Sequence, residues 1–421
     1  MGQLNYREDM VFYLLREHVD RDAINKIIKD FKEEDWIETG DFLKENALVP
    51  IFYDRLIELK LEHIPAEFLL RLKNLYLLNL QRNTMLEREL FKVTDHLGTG
   101  NIPVIPLKGI ILCRLLYNDI ALRGTSYDLD LLIPYERLRE AEEKLQEKGY
   151  SFADRPELIE YHHKFNKEIV FYKKSGNSEI NLDLHWYIVD ERLNDTCIRD
   201  FWMNAKEINL DGHKILIPSI EDLLFYLSLH AVNYGHFVVI KYLYDIHRIV
   251  KVYGKEINWS DLMRKARENN LAKSLFYSLS LSRDFFETPV SEEVLDAIRP
   301  HRIKELILMQ WINKYNVLKR RQNIISSWIW ISFVSPLLYT NTFFDYLELV
   351  VNRRFSPMDI YVELCSKGAE ISLSNSFRKL SLNILKCFFT ISCNERKVPV
   401  SSMAYISQNH SERNLSSKSN E

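Results

Sequence analysis

The sequence predicts a protein of mixed α and β structure in which an α/β core lies between two helical regions. Apolar residues recur three and four positions apart up to about residue 98 and again after Ser219, which is typical of helices. Between these regions, short apolar runs alternate with helical segments, as expected for a sheet packed against helices. We therefore divide the chain into an N-terminal helical region (1–98), a core (99–218), a C-terminal helical domain (219–397) and a polar tail (398–421) that we expect to be disordered.

Turn and capping residues mark where these regions begin and end. The N-terminal helical segments are "VFYLLREHV", "INKIIKDF", "FLLRLKNLYLLNL" and "LERELFKVTDHL". Gly98 and Gly100 end the last of them, because glycine is unfavourable inside a helix. Ser219 and Asp222 form an S-x-x-D capping pattern, which predicts that the C-terminal helices begin there.

The core is predicted to contain five strands and two helices. The strands are "IPVIPL", "YDLDLLI", "KEIVFYK", "EINLDLHWYI" and "HKILIP", which are rich in β-branched and aromatic residues. The helices are "IILCRLLY" and the charged amphipathic segment "ERLREAEEKLQEKGY", in which Gly149 is the natural C-cap. The motifs that carry chemistry all lie in this core or directly after it.

Composition excludes several classes of protein. The net charge of −3 and pI of about 6.5 argue against a protein that coats nucleic acid. The five cysteines are odd in number and scattered, which argues against a disulfide framework and a zinc knuckle. The N-terminus shows no signal peptide, and the most apolar segment, Ile324–Tyr339, is shorter than the roughly 18 residues of a spanning helix. We expect a cytoplasmic protein in which that segment is a buried helix or, alternatively, a surface for a hydrophobic partner.

Two aspartates stand inside the predicted strand "YDLDLLI". Side chains alternate between the two faces of a strand, so Asp128 and Asp130 share one face while Leu129 and Leu131 share the other. Two adjacent carboxylates repel each other unless a cation pairs with them. A solvent-facing acidic strand would give the same pattern, so this motif alone is weak.

A second strand strengthens the interpretation. In "INLDLHWYI", Asn181, Asp183 and His185 share one face, and Asp183 would join Asp128 and Asp130 if the two strands were neighbours. Three carboxylates suit two magnesium ions that clamp the oxygens of a displacement at phosphorus. His185 would contact the substrate or simply orient Asp183.

Several residues near these strands suit phosphate binding. Lys108 and Gly109 come directly before a helical run, and a helix N-terminus is a natural phosphate seat. Arg123 supplies a bidentate cation, and Ser126 supplies a hydroxyl. Lys241 lies on a later helical segment, where it would reach the phosphates or form a surface ion pair with Asp245.

Taken in order, these motifs resemble those of a known family, the uncharacterised nucleotidyltransferases of bacteria. That family is a branch of the DNA polymerase β-like nucleotidyltransferase superfamily. The matching segments are "LKG" (Leu107–Gly109), "RGTSYDLDLL" (Arg123–Leu132) and "DLHW" (Asp183–Trp186), within a resemblance over roughly residues 30 to 250. One residue more than the commonest spacing separates Arg123 from Asp128.

The resemblance implies an α+β fold with a small mixed β-sheet flanked by helices. It implies transfer of a nucleoside monophosphate from an NTP such as ATP, with release of pyrophosphate and with Mg²⁺ (or Mn²⁺) as cofactor. Asp128 and Asp130 would be metal ligands, and Asp183 would be a third ligand that helps to deprotonate the acceptor hydroxyl.

One feature departs from the superfamily pattern. The superfamily places Gly-Gly or Gly-Ser at a helix start before the acidic pair, whereas this sequence has Gly109-Ile110 farther upstream. The serine hydroxyl is therefore absent there. Lys108, Arg123 or Ser126 would have to take its place at the triphosphate.

The leading hypothesis is a magnesium-dependent nucleotidyltransferase with an unidentified acceptor. A small molecule, peptide or protein is favoured over a long nucleic acid, because the chain lacks an overall basic charge. One alternative is a glycosyltransferase, since these enzymes also hold a nucleotide diphosphate through Asp-x-Asp and a metal. Another is a non-catalytic regulator or toxin–antitoxin component that keeps the fold.

Overall fold

The protein is described here by a computed structural model. The described residues are 6–125, 128–154, 159–176, 178–188, 195–233, 237–321, 334 and 336–340. Most of the apolar segment Ile324–Tyr339 lies outside them, and so does the tail predicted over 398–421. Ser126 also lies outside the described residues.

Five helices form the N-terminal region, as the apolar spacing predicts. They are α1 (Tyr6–Leu14), α2 (Arg21–Ile28), α3 (Glu33–Glu45), α4 (Val49–Leu59) and α5 (Ala66–Gly98). The carboxylate of Asp20 caps α2 by accepting hydrogen bonds from the backbone amides of Asp22 and Ala23. The long helix α5 ends at Gly98, where the sequence predicts its end.

A five-stranded mixed sheet forms the core. Its strands are β1 (Ile105–Pro106), β2 (Asp128–Leu132), β3 (Ser151–Phe152), β4 (Glu168–Ser175) and β5 (Ser178–His185), in the spatial order β1-β2-β5-β4-β3. β2 and β5 are parallel, and the other neighbouring pairs are antiparallel. A separate antiparallel pair follows, β6 (Lys206–Leu210) and β7 (His213–Ile217). The predicted α+β class is confirmed.

Helices connect the strands and continue after β7. Those in the core are α6 (Ile110–Leu112), which continues as a π-helical turn (Cys113–Tyr117), α7 (Leu138–Glu147), α8 (Ile159–Phe165) and α9 (Asp195–Met203). Those after the core are α10 (Ile220–Asn233), α11 (Ile240–Tyr253), α12 (Trp259–Glu268), α13 (Ala272–Phe286), α14 (Glu292–Ile298), α15 (Arg302–Met309), α16 (Lys314–Arg321) and α17 (Pro336–Tyr339). Sequence reasoning did not identify β3, β6, α8 or α9 as elements of their own.

The sheet separates two apolar clusters. Leu129 and Leu131 of β2 are buried in one cluster with apolar residues of α5 and α7. Leu132, from the opposite face of the same strand, is buried in the other cluster with residues of the C-terminal helices. The alternation predicted for β2 is therefore confirmed, and the face that carries the two aspartates looks toward the C-terminal helices.

The C-terminal helices begin as predicted. The backbone amide of Asp222 donates to the hydroxyl oxygen of Ser219 (3.1 Å), and the Asp222 carboxylate forms an ion pair with Lys265 of α12 (2.9 Å). The division of the chain into four regions stays a prediction. In the described part of the chain, no helix combines the length and the apolar character that crossing a membrane requires.

Candidate active site

The register of two strands brings the acidic residues together. β2 and β5 pair so that Asp130 lies directly opposite Asp183 and Asp128 opposite Asn181. Paired residues of neighbouring strands point to the same face, so the three carboxylates share one side of the sheet. The sequence predicted this grouping from alternation alone, and the structure supplies the adjacency.

Lys108 neutralises the acidic pair in the structure. Its ammonium lies 2.5 Å from Oδ2 of Asp130 and 3.4 Å from Oδ2 of Asp128. Burial by itself would lower the pKa of Lys108, but the two carboxylates outweigh burial and raise that pKa well above its usual value. Burial likewise works against the charge of Asp130, and Lys108 together with His185 nevertheless keeps the pKa of Asp130 well below its usual value.

Asp183 titrates differently from its neighbour. Burial, together with the negative charge of Asp130, raises the pKa of Asp183 to about 6. A carboxylate with such a pKa can accept a proton near neutral pH. The two adjacent aspartates are thus tuned apart by their surroundings, which is typical of an acid–base pair.

His185 bridges two carboxylates. Its Nε2 lies 3.3 Å from Oδ1 of Asp130, and its Nδ1 lies 3.0 Å from Oε2 of Glu168 on β4. Burial would lower the pKa of His185, but the hydrogen bonds to Asp130 and Glu168 outweigh burial and raise it to about 9. A doubly protonated imidazole has no lone pair to give a metal, so this contact favours an orienting role for His185.

The acids open into a cavity of about 190 Å³. Its opposite wall comes from the C-terminal helices, with Tyr226 and His230 on α10 and Tyr242 on α11. The ring of His230 stands edge-on to that of Tyr242, with centroids 4.5 Å apart. One side of the cavity is therefore charged and the other aromatic, a combination that suits a ligand with phosphates and a flat ring.

Gly109 shapes the turn that delivers Lys108 to the cavity. Its backbone has φ +69° and ψ −125°, a conformation that residues with a side chain rarely adopt. The backbone amide of Leu107 donates to the carbonyl of Asp130 (3.0 Å), which ties this turn to β2. The glycine of the "LKG" motif is therefore required by backbone geometry.

Arg123 is buried and points away from solvent. Its Nε and Nη2 donate to the two carboxylate oxygens of Asp245 on α11, at 2.9 and 2.7 Å. Its Nη1 donates to the carbonyl of Gly109 (3.2 Å). The side chain is 3% exposed, so the guanidinium is engaged inside the protein. This position favours support of the Gly109 turn over the direct phosphate contact that the sequence suggested.

Lys241 lies half-buried near the same cavity. Burial lowers the pKa of Lys241 to about 7, and the positive charge of Arg123 acts in the same direction. The alternative of a surface ion pair with Asp245 is wrong, because Asp245 is fully buried and forms its ion pair with Arg123. The ammonium of Lys241 lies 5.3 Å from the centroid of the Tyr242 ring.

The carboxylates fit a divalent cation by their chemistry. Carboxylate oxygens of Asp130 and Asp183 lie within 4.8 Å of each other and of a ring nitrogen of His185, and the two carboxylates supply the ligand atoms of this group. Carboxylate oxygens are the ligands that Mg²⁺ and Mn²⁺ prefer. The ammonium of Lys108 already demonstrates that a positive charge is stabilised beside Asp130 and Asp128.

Comparison with known proteins assigns this chain to a family. The model of a family described as "Uncharacterised nucleotidyltransferase" matches residues 32–287, which is more than half of the chain. The chain belongs to this uncharacterised nucleotidyltransferase family. The resemblance stated from the motifs is confirmed. No curated protein matches the sequence.

Solved structures similar to this nucleotidyltransferase are distant. The solution structure of the antibiotic-resistance factor ANT(2'')-Ia shares 15% identity over 41% of this chain and 87% of its own, with a TM-score of 0.29. The crystal structure of ANT(2'')-Ia with adenylyl-2''-tobramycin shares 15% identity over 42% of this chain and 91% of its own, with a TM-score of 0.27. The crystal structure of an antigenic nucleotidyltransferase-like protein from Paracoccidioides brasiliensis shares 15% identity over 50% of this chain and 92% of its own, with a TM-score of 0.33.

Two residues of the nucleotidyltransferase site were missed by sequence reasoning. Glu168 opens the predicted strand "KEIVFYK", but its place opposite His185 depends on the register of β4 and β5. Asp245 was noted only as a possible partner of Lys241. Asp245 stands within the apolar helical run "KYLYDIHRIV". A carboxylate in such a run is expected to be buried and to need a cationic partner.

Proposed function

We propose that this nucleotidyltransferase moves a nucleoside monophosphate from an NTP to an acceptor hydroxyl or phosphate with the help of magnesium, releasing pyrophosphate. The observation that carries the proposal is the parallel register of β2 and β5, which sets Asp130 beside Asp183 at a cavity that Asp128 also lines. The family supports transfer of a nucleotidyl group. The metal, the NTP and the acceptor belong to the proposal.

Each carboxylate has a part in the proposed reaction. Asp128, Asp130 and Asp183 would hold Mg²⁺, with Mn²⁺ as a substitute of similar preference for oxygen. The ion, when bound, would neutralise charge on the phosphates and on the attacking and leaving oxygens. Asp183 lies opposite Asp130 and lines the cavity, so we assign it the acceptor's proton.

One bond forms and one bond breaks at the α-phosphorus in the proposed reaction. The acceptor oxygen forms a new bond to the α-phosphorus of the NTP, and the bond from that phosphorus to the β-phosphate oxygen breaks. The bonding electron pair leaves with pyrophosphate. When the acceptor is a hydroxyl, its proton passes to the carboxylate of Asp183, which later returns it to water.

Cationic and backbone groups beside the acids are proposed to bind the triphosphate. Lys241 is half-buried beside Tyr242, which lines the cavity, and Lys108 lines the cavity and contacts the acids. Gly109 would let the backbone approach a phosphate closely. We assign Arg123 the support of this turn, and a phosphate contact by Ser126 stays a prediction.

The acceptor is proposed to be a small molecule, a peptide or a protein side chain. The aromatic wall of Tyr226, His230 and Tyr242 suits one flat ring, either of the nucleobase or of the acceptor. A long nucleic acid would need many phosphate contacts, and a net charge of −3 offers little support for them.

A donor screen tests the proposal. Pure protein is incubated separately with each of the four NTPs and Mg²⁺ or Mn²⁺, together with a pool of candidate acceptors, and pyrophosphate release is measured. We expect release with at least one NTP and loss of release when EDTA removes the metal. Sugar transfer from a nucleotide-sugar without pyrophosphate would contradict the proposal and favour a glycosyltransferase.

A double variant tests the site. Asp128→Asn with Asp130→Asn keeps the size of both side chains but removes their charge, so we expect pyrophosphate release to fall on the order of 1,000-fold or more. The matched control is Glu34→Gln with Asp41→Asn, two exposed acids on α3, which should leave the rate unchanged. Equal activity of the site variant and the wild type would refute the assignment.

A further inference from the structure

We propose that Asp245 is a positioning residue: from helix α11 it fixes Arg123, and through Arg123 the Lys108–Gly109 turn that faces the substrate. The inference deepens the proposed function and rests on it for the catalytic readout. It concerns a contact between residues 122 positions apart, which joins the C-terminal helices to the sheet.

The Asp245–Arg123 pair is held in one geometry. Both carboxylate oxygens accept from the guanidinium in a bidentate arrangement, and the hydroxyl of Tyr117 donates to Oδ1 of Asp245 (2.8 Å). The Asp245 side chain is 0% exposed and that of Arg123 is 3% exposed. A guanidinium fork bound on two points cannot rotate without losing a hydrogen bond in a place that water does not reach.

The third contact of the guanidinium leads to the site. Nη1 of Arg123 donates to the carbonyl of Gly109, whose unusual backbone angles orient the residue before it. That residue is Lys108, and its ammonium contacts Asp128 and Asp130. An unbroken set of hydrogen bonds and covalent links therefore runs from α11 to the acidic pair.

The same helix also supplies the facing wall of the cavity. Tyr242, which lines the cavity, lies three residues before Asp245 on α11. Residues three apart lie on neighbouring parts of one helix face. Asp245 thus ties the Lys108 turn to the helix that carries Tyr242.

The main test compares two buried carboxylates. Asp245→Asn keeps the shape of the side chain but leaves the charge of Arg123 without its partner. We expect kcat for pyrophosphate release to fall on the order of 100-fold, because small misplacements of reacting groups have effects of that size. The control is Asp35→Asn, which breaks the ion pair of this buried carboxylate with Arg7 between α3 and α1, two helices that supply no residue of the cavity lining. It should lower the melting temperature and leave kcat unchanged.

A second measurement does not depend on activity. Hydrogen exchange of the peptide spanning residues 105–117 reports on the Gly109 turn, where the amide of Leu107 is bonded to Asp130. We expect faster exchange there in Asp245→Asn and wild-type exchange in Asp35→Asn. If the wild type releases no pyrophosphate while this exchange pattern holds, the proposed function fails and the positioning role stands.

A milder variant covers the case in which Asp245→Asn does not fold. Tyr117→Phe removes one hydrogen bond to Asp245 and keeps the ion pair, so we expect a smaller fall in kcat, about 3- to 10-fold, with KM for the NTP changed less. An active wild type whose Asp245→Asn and Tyr117→Phe variants keep both kcat and the exchange of residues 105–117 would overturn the inference.

Discussion

Charges alternate along the acidic face of the sheet, residue by residue. Lys108, Asp130, His185 and Glu168 form a row of positive and negative groups in direct contact. Each charge is stabilised by its neighbours although most of the row is buried. Asp183 stands beside this row opposite Asp130, and its raised pKa of about 6 reflects burial and the nearby negative charge.

Lys241 gives a prediction at the same scale. Lys241→Met keeps most of the side-chain volume and removes the ammonium, so a contact with a phosphate would be lost. We expect KM for the NTP to rise about 10- to 100-fold, the range for a hydrogen bond to a charged group. Steady-state kinetics of pyrophosphate release measure this change.

The control for that variant is Lys214→Met on β7. Lys214 is exposed, pairs with Glu207 and does not line the cavity, so its loss should leave KM unchanged. An unchanged KM in Lys241→Met as well would remove Lys241 from the phosphate site.

Among the elements, the loop before β2 depends on helix α5. Asn79 donates to the carbonyls of Ala121 and Arg123 at 2.8 and 3.0 Å, and Asn83 donates to the same Arg123 carbonyl at 3.0 Å. These amides satisfy backbone carbonyls that would otherwise be buried without partners. The two asparagines, four residues apart, therefore hold the loop that delivers Arg123.

Gly124 in this loop lies against the junction of α3 and α4. A Cβ at Gly124 would come within 2.4 Å of the carbonyl oxygen of Ala47, which is backbone and cannot rotate away. We expect Gly124→Ala to lower the free energy of unfolding by about 1–3 kcal/mol, as other overpacked sites do. Chemical denaturation followed by circular dichroism measures the loss.

Gly98→Ala is the matched substitution for that experiment. A Cβ at Gly98 meets no atom within 4 Å, and this residue ends α5 with open space around it. Its free energy of unfolding should stay at the wild-type value or rise slightly, because alanine favours helix more than glycine does. Equal stability of the two variants would show that the loop moves aside freely.

Elements were predicted from the sequence where the pattern that indicates them lies within a few residues. β2 and β5 were found because alternation of acids and leucines is visible within five residues. The place of Glu168 opposite His185 was not predicted, because the register of β4 and β5 is set by the two strands together. The Arg123–Asp245 contact joins distant parts of the chain, and no local pattern names the partner.

For the molecule as a whole, a buried histidine predicts how stability varies with pH. His247 of α11 is buried, and its Nδ1 lies 3.0 Å from the hydroxyl of Thr288. Burial, together with the positive charges of Lys251 and Arg248, lowers the pKa of His247 to about 3. In the unfolded chain His247 has an ordinary pKa of about 6.5. It therefore binds a proton at pH values at which it stays neutral in the folded chain.

The sign of the effect follows from that difference. The contribution of neutral His247 to the free energy of unfolding is fully present above pH 6.5. It is lost progressively as the pH falls toward 3, by about 1.4 kcal/mol per pH unit. His247→Gln removes the titration, so the stability of the variant should fall less steeply than that of the wild type between pH 6.5 and 4. Denaturation curves at several pH values test this, and parallel slopes would contradict it.

The Arg123–Asp245 pair also sets an order of events during synthesis. The ribosome delivers Arg123 122 residues before Asp245, and the last strand of the sheet, β5, is complete 60 residues before Asp245 emerges on α11. Until then the guanidinium has no carboxylate on α11 to receive it and stays hydrated. The nascent sheet can therefore take shape early, while the Lys108 turn acquires its final support only when α11 docks.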